Sequence, residues 1–314
     1  MTRVVFLGTP DFAVPSLRSL VEQPEFNVVG VITQPDRPAG RGQRVQISPV
    51  KHYALDVGLP VLQPRSLRKS EAVDELRGLQ PDLLVVAAFG QILKPNVLEL
   101  GRYGSINVHA SLLPRWRGAA PIQYAIREGD SETGVTVMLM DEGLDTGPML
   151  YRHAVAIDPD ETGQSLHDKL AAEAAEILPG VLLDYIDGAL EAQPQPEVGV
   201  TYAPTLQKSD GSIDWEDSAT AIDRQVRAYT PWPGTYTFLD GERLKILKGV
   251  PLNDAVQAAP GTLVTEMGQL AVQTGDGIYI LDEVQPAGKK RMTGQAFLAG
   301  RSDAVGVMLQ QDET

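Results

Sequence analysis

The chain has 314 residues, 43% of them hydrophobic and 22% charged, which is enough to bury two moderate cores and excludes a disordered or fibrous protein. Lys and Arg number 27 against 41 Asp and Glu, a net charge of -14; this argues against non-specific nucleic-acid binding over the whole surface and confines any polyanion to local basic patches. With no cysteine and four histidines, disulfides, thiolate metal sites and cysteine nucleophiles are excluded, no metal is expected, and a reducing cytosol is the expected compartment.

The apolar run in "MTRVVFLGTPDF" is too short for a signal peptide or a membrane span, so neither export nor anchoring is expected. "RVVFLG", "TPDFAVPSLRSLVEQ" and "NVVGVIT" predict strand, turn with helix, and strand, a βαβ unit and hence a mostly parallel sheet. The segment Gln34 to Pro49 follows, 16 residues with three prolines and two glycines, long enough to be a functional loop. Arg37, Arg41, Arg44 and Lys51 stand in or beside it against Asp36. "PDLLVVAAFG" has the continuous apolar pattern of a central strand. "YGSINVHA" predicts a strand, "AAPIQYAIREGD" a helix ending at Gly129, and "TGVTVMLM" and "PMLYRHAVAI" two more strands. "GQSLHDKLAAEAAEILPGVLLDYIDG" predicts a helical region kinked or broken at Pro179.

"ALEAQPQPEVGVTYAPTL" has prolines and no periodicity, the pattern of a linker over a surface. Beyond it "SATAIDRQVRAYT" predicts a short helix, and alternating runs with Asp240-Gly241 and Asp276-Gly277 at turns predict a small antiparallel barrel or sandwich. A second basic stretch, Lys289, Lys290, Arg291 and Arg301, lies in it. By composition alone both basic stretches read equally as solvated loops.

Strand side chains alternate faces, so in "SINVHA" Ile106 and Val108 point one way while Asn107 and His109 point the other, at the strand end where open α/β sheets bind ligands. The following "SLLPRWRG" offers Ser111, an apolar ledge at Leu112 and Leu113, the fixed backbone of Pro114, and Arg115 and Arg117 for anions. After the next strand comes the acidic loop "DEGLDTGPML", which adjacent parallel strands would bring to the same sheet edge. A carboxylate beside a histidine fixes its tautomer and lets the pair accept and return a proton. Asp141 and Asp145 both qualify. Asn, His and Asp without a Ser or Cys nucleophile suit acyl transfer to an amine, the substrate bringing its own nucleophile.

"NVHASLLPRWRGAAPIQ" with "MDEGLDTGPML" resembles the folate-dependent formyltransferases, and the likeness extends from "FLGTPDFAVPSL" to "QPAGKKRM", nearly the whole chain. The resemblance implies an α/β fold: a Rossmann-like formyltransferase domain with a mostly parallel sheet at 1–190, a linker at 191–204, and an OB-like tRNA-binding β-barrel at 205–314. It implies the catalytic set Asn107, His109 and Asp145, choosing Asp145 over Asp141, and a folate contact at Ser111, Leu112, Leu113 and Pro114. The implied reaction moves the formyl group of 10-formyltetrahydrofolate to the α-amino group of methionine on initiator tRNA. The long loop would reach the acceptor stem through Arg41, supported by Arg37 and Arg44, while Lys208, Lys289, Lys290 and Arg291 would meet phosphates. A monomer is expected. Two departures stand out: the acidic ending "SDAVGVMLQQDET", which argues against a tRNA role for the last residues, and Ala110 in place of glycine.

A formyltransferase for a sugar nucleotide or glycinamide ribonucleotide, or a formyltetrahydrofolate hydrolase, would keep the Asn/His/Asp set and differ in the arginine loop and the basic barrel. A dinucleotide oxidoreductase needs G-x-G-x-x-G after the first strand, where this chain has "GTPDFA" with one glycine. A purely RNA-binding protein would leave the Asn/His/Asp set unexplained.

Overall fold

Buried aliphatic runs set the sheet at the centre of the first part of the chain. The computed structural model describes residues 1–39, 44–253 and 258–311. In chain order the elements are β1 (Thr2–Gly8), α1 (Ala13–Glu22), β2 (Phe26–Ile32), β3 (Arg37–Ala39), β4 (Arg44–Gln46), α2 (Pro49–Asp56), β5 (Val61–Leu62), α3 (Ser70–Gly78) and β6 (Leu83–Ala87). Then come α4 (Pro95–Leu98), β7 (Ser105–His109), β8 (Arg117–Gly118), α5 (Pro121–Arg127), β9 (Glu132–Leu139), β10 (Met149–Ala156), α6 (Gly163–Ile186) and β11 (Tyr202–Ala203). The remainder holds α7 (Ala219–Ala228), β12 (Thr235–Leu239), β13 (Glu242–Leu252), β14 (Leu263–Glu266), β15 (Gln269–Gln273), β16 (Ile278–Pro286), β17 (Met292–Thr293) and α8 (Gly294–Gly300).

The chain divides into two compact units. The first comprises 1–121, 132–156 and 167–203, and the second 122–131, 157–166 and 204–314. The second therefore draws on two short segments from earlier in the chain as well as on the C-terminal stretch.

The first unit is built on a seven-stranded sheet in the order β10-β9-β7-β6-β1-β2-β5. Five strands, β5, β2, β1, β6 and β7, run parallel, as the continuous apolar runs predict. Every residue of β6 is buried, the signature of a strand covered on both faces. Strand order reverses at β1, with β2 on one side and β6 on the other, so the C-terminal ends of these strands form a topological switch point, the place where open α/β sheets bind ligands. Ser48 caps α2 by accepting from the Lys51 amide, with Pro49 opening the helix.

Three expectations need correction. β9 lies antiparallel to β7, with Ile106 opposite Leu139 and His109 opposite Thr136, so the acidic loop leaves β9 at the opposite end of β7 from His109. Of the kink or break expected at Pro179, the break does not occur: helix α6 is continuous from Gly163 to Ile186. Leu166, Leu170, Ala174, Leu178 and Leu182 are all buried, so the apolar stripe stays in phase across the proline, and its burial offsets the lost hydrogen bond. The segment expected as a linker belongs to the first unit: Gln193 bridges Met149, and β11 pairs with β8.

In the second unit a six-stranded antiparallel sheet runs β12-β13-β16-β15-β14, with β17 on β16. The apolar face of α7, with Ala219, Ile222 and Val226, packs into the same core as Leu244, Ile246, Val272, Tyr279 and Leu281. The hairpin β12–β13 turns through Asp240 and Gly241, both at positive φ (52° and 76°), a geometry that Asp-Gly adopts readily. The acidic tail has a structural task. Gln310 bridges Phe238 of β12 while Met308 bridges Thr262 beside β14, so residues 308–310 join the two edge regions of the sheet and close it.

Candidate active site

Asn107 and His109 sit on one face of β7, as the strand period requires, with Ile106 and Val108 buried on the other. Asn107 is half-buried, and its carboxamide has no hydrogen-bond partner among the described residues. His109 is buried, at 6% exposure. Its Nε2 lies 2.9 Å from the carbonyl oxygen of Trp116. A carbonyl only accepts, so Nε2 carries the hydrogen and donates it. Nδ1 is thereby left as the basic nitrogen, and it faces Asp145 Oδ2 at 3.7 Å.

Although β9 is antiparallel to β7, the loop after it turns back and carries Asp145 to the histidine. The two acidic candidates have different surroundings. Asp141 is exposed and accepts from the Gly143 amide at 3.0 Å and the Thr146 hydroxyl at 2.6 Å, which makes it a former of its own turn. Asp145 accepts from the Gly118 amide at 2.8 Å and faces His109. Trp116 and Asp145, on either side of the ring, both adopt the left-handed backbone region, with φ of 64° and 53°. Such conformations persist where surrounding contacts enforce them, and they cluster at functional sites.

Ser111, Leu113 and Pro114, expected as folate contacts, are buried. The Ser111 hydroxyl donates to the Arg115 carbonyl at 2.6 Å, and its own carbonyl accepts from Thr136 Oγ1 at 2.6 Å. Leu113 packs with Met138 and Met149 and donates its amide to Thr136 Oγ1 at 3.1 Å. Leu112 alone of the four is partly exposed. Within the stretch, the bonds of Ser111 and Leu113 set the Trp116 carbonyl against His109, while Leu112 keeps a partly open face beside the site. A turn with one hydroxyl and two leucines reads identically in sequence whether it faces a ligand or the core.

Residues missed in the sequence complete the site. The Trp116 amide donates to Thr201 Oγ1 at 2.9 Å. Arg117 donates through Nε and Nη2 to Gln195 Oε1 at 3.1 and 2.7 Å, and Gln195 Nε2 donates to the carbonyls of Asp145 and Gly147 at 2.7 and 2.8 Å. Both Thr201 and Gln195 lie in the proline-rich stretch whose aperiodicity suggested a linker, so no periodic signal marked them.

A cavity of about 890 Å³ opens over the C-terminal ends of β1, β2 and β6, lined by Thr9, Gln34, Asp36, Ser48, Phe89 and Ile92, with the exposed Arg65 and Arg68 at its edge. Its size suits a small-molecule site. β6 lies beside β7 with Val86 opposite Asn107, so the loop 88–92 leaves the sheet next to the level of His109, and Ile92 is 67% exposed. The long loop beyond β2 begins and ends as an antiparallel pair, Arg37 opposite Gln46 and Ala39 opposite Arg44. Arg41 lies outside the described residues. At the base of this hairpin, Lys51 Nζ donates to Asp36 Oδ2 and to Gln63 Oε1, both at 2.6 Å, and Gln63 Nε2 donates to Asp36 Oδ1 at 2.7 Å and the Gln34 carbonyl at 2.9 Å. The bonds from Lys51 and then Gln63 hold the Asp36 carboxyl below the usual carboxylate range.

The remaining basic candidates belong to the second unit. Lys208 opens a short 3₁₀ turn and is exposed. Lys289, Lys290 and Arg291 are exposed together in the turn between β16 and β17. Arg301 is instead held by Asp240 at 2.7 Å and Asp303 at 3.1 Å.

Comparison with known proteins adds to this geometry. Residues 2–182 match the family model "Formyl transferase" and residues 205–302 match "Formyl transferase, C-terminal domain". The chain is 49% identical over 308 residues to a methionyl-tRNA formyltransferase of Geotalea daltonii, covering 98% of each, and 50% identical to that of Symbiobacterium thermophilum, covering 100% of this chain and 97% of the relative. Among solved structures, it resembles a sugar 3N-formyl transferase determined with dTDP and 5-N-formyl-THF (TM-score 0.66, 19% identity, 92% of this chain and 99% of the other). It also resembles HypX of Aquifex aeolicus in complex with tetrahydrofolic acid (TM-score 0.62, 16% identity, 97% of this chain and 48% of the other). At these identities the two structures speak for the fold alone.

Proposed function

The chain belongs to the formyl transferase family, and we propose that it transfers the formyl group of 10-formyltetrahydrofolate to the α-amino group of methionine esterified to initiator tRNA. Identity near 50% over almost the full length to methionyl-tRNA formyltransferases supports this substrate pair. The observation that carries the chemistry is the His109 ring held between the Trp116 carbonyl and Asp145, with Asn107 beside it on the same strand face.

The folate supplies an activated formyl group to the site. The loop 88–92 and the partly exposed Leu112 are the surfaces in the first unit that suit a flat ligand beside Asn107, Ile92 offering an apolar face. Asn107, whose carboxamide has no partner among the described residues, donates a hydrogen bond to the formyl oxygen as negative charge builds on it. His109 takes the proton from the attacking amine at Nδ1, the nitrogen left basic by the bond from Nε2 to Trp116, and returns it to the departing nitrogen. Asp145, 3.7 Å away, offsets the charge that the ring then carries.

The cavity edged by Arg65 and Arg68 suits the phosphate-bearing end of the acceptor. Arg37, Arg41 and Arg44 of the segment Gln34 to Pro49 engage the acceptor stem, and Lys208, Lys289, Lys290 and Arg291 add phosphate contacts in an OB-like domain, which gives an acidic protein local purchase on a polyanion. The reading is tested by formyl transfer to initiator Met-tRNA, elongator Met-tRNA and free methionine. Initiator tRNA should be formylated far faster than the other two, and His109→Ala should lower kcat by at least about a hundredfold. Equal rates on all three acceptors, or a His109→Ala enzyme of wild-type activity, would overturn it.

A further inference from the structure

We infer that Gln195 is a positioning residue that holds Asp145 opposite His109, an inference that rests on the reading of Asp145 as the catalytic partner of that histidine. Gln195 is the one residue of 193–199 that is not exposed. Both ends of its carboxamide are committed. Nε2 gives its two hydrogens to the carbonyls of Asp145 and Gly147, and Oε1 receives the fork of Arg117 from Nε and Nη2. The guanidinium only donates, so it fixes which end of the amide is oxygen and turns the nitrogen towards the loop.

Asp145 is thereby gripped at two points that lead back to the same short strand. Its carboxylate accepts from the Gly118 amide directly, and its carbonyl is tied to Arg117 through Gln195. That double grip explains how a non-glycine residue is kept at a φ of 53° in a loop that leaves β9 at the far end of β7. The bridge between Gln193 and Met149 sets the register that delivers Gln195 to the loop. Without this anchor, nothing described at the Asp145 carbonyl would oppose relaxation of the backbone, and the carboxylate would leave Nδ1 of His109.

The test is Gln195→Glu, made both in the wild-type enzyme and in Asp145→Asn, with kcat and KM measured for Met-tRNA and 10-formyltetrahydrofolate. Glutamate keeps the size of the side chain and its pairing with Arg117, but it sets an oxygen against two carbonyls. In the wild-type background kcat should fall about tenfold to a hundredfold, the scale of a misplacement of the order of an ångström, with both KM values within about threefold. In the Asp145→Asn background the same substitution should change kcat less than about twofold, because a residue acting through Asp145 has nothing left to position. A role in fold stability alone would lower kcat equally in both backgrounds, and that result, or an unchanged kcat in the wild-type background, would overturn the inference. Should Gln195→Glu fail to fold, Arg117→Met, which removes the orienting fork and leaves Gln195, is held to the same two-background criterion. An Asp145→Asn enzyme with wild-type kcat would overturn the catalytic reading itself; an inactive Asp145→Asn beside a fully active Gln195→Glu would overturn only the role of Gln195.

Discussion

Gly118→Ala places one methyl group at the point where the scaffold and the site meet. Gly118 has φ of 120°, a backbone conformation that costs a residue with a side chain about 1–3 kcal/mol. A Cβ at this position would lie 2.6 Å from the Ala203 carbonyl oxygen and 3.2 Å from its carbon, both main-chain atoms, so β11 must shift. That same oxygen accepts from the amides of Ala119 at 2.8 Å and Ala120 at 3.2 Å, and each weakened bond adds about 1 kcal/mol. The expected destabilisation is about 3–5 kcal/mol, below the stability of most domains, so the variant should fold at reduced temperature. The folded variant should also carry a catalytic defect. The Gly118 amide holds Asp145 Oδ2 at 2.8 Å, and losing a hydrogen bond to a charged group is worth about 1.5–3 kcal/mol, or about tenfold to a hundredfold in kcat. Urea unfolding should show a lower midpoint at unchanged slope, and steady-state formylation at a temperature where the variant is fully folded should show the loss in kcat. A midpoint unchanged and kcat within about twofold of wild type would refute both the overlap and the anchoring of Asp145.

The two acidic candidates should separate cleanly: Asp145→Asn should lower kcat by about a hundredfold or more, while Asp141→Asn, which disturbs only its own turn, should stay within about threefold, and similar losses in the two would sink the assignment. Lys51→Met removes the nitrogen that joins Asp36 to Gln63 at the hairpin base, so KM for Met-tRNA should rise about threefold to tenfold while kcat and KM for the folate stay put; a uniform loss would show that the network supports the fold and not the hairpin. The Asp36 carboxyl is held low by the bonds from Lys51 and Gln63, so the stability it contributes is complete above the ordinary carboxylate value and is lost only as pH falls through the lowered one; in Lys51→Met, acid titration followed by NMR should show Asp36 protonating at higher pH. In the second unit burial pushes Tyr229 up to about 12 and Tyr279 higher still. These raised values favour the folded state fully below the ordinary tyrosine value near 10, and that contribution is lost as pH rises through the folded ones. The tyrosinate absorbance of these two should therefore appear together with unfolding, and titration of all nine tyrosines near pH 10 in the folded protein would contradict it.

How much of this was legible in the chain follows from which forces are periodic. A period of two placed Asn107 and His109 on one face of a strand, and unbroken aliphatic runs such as Leu83–Ala87 required a buried parallel sheet, because side-chain direction is fixed by local backbone geometry. Asp-Gly at 240 and 241 required a tight turn for the same reason. Tertiary structure decided everything that depended on polar atoms meeting across long separations. It set β9 antiparallel to β7, turned the acidic loop back so that Asp145 and not Asp141 met the histidine, and buried Ser111 and Leu113 beneath Leu112. It also drew Gln195 and Thr201 out of an apparent linker into the walls of the site, and gave residues 308–310 near the C-terminus the task of closing a sheet. A lone hydrogen bond between residues 50 apart leaves no recurring pattern in either segment; only the folded chain, which must satisfy each buried donor and acceptor somewhere, reveals where it goes.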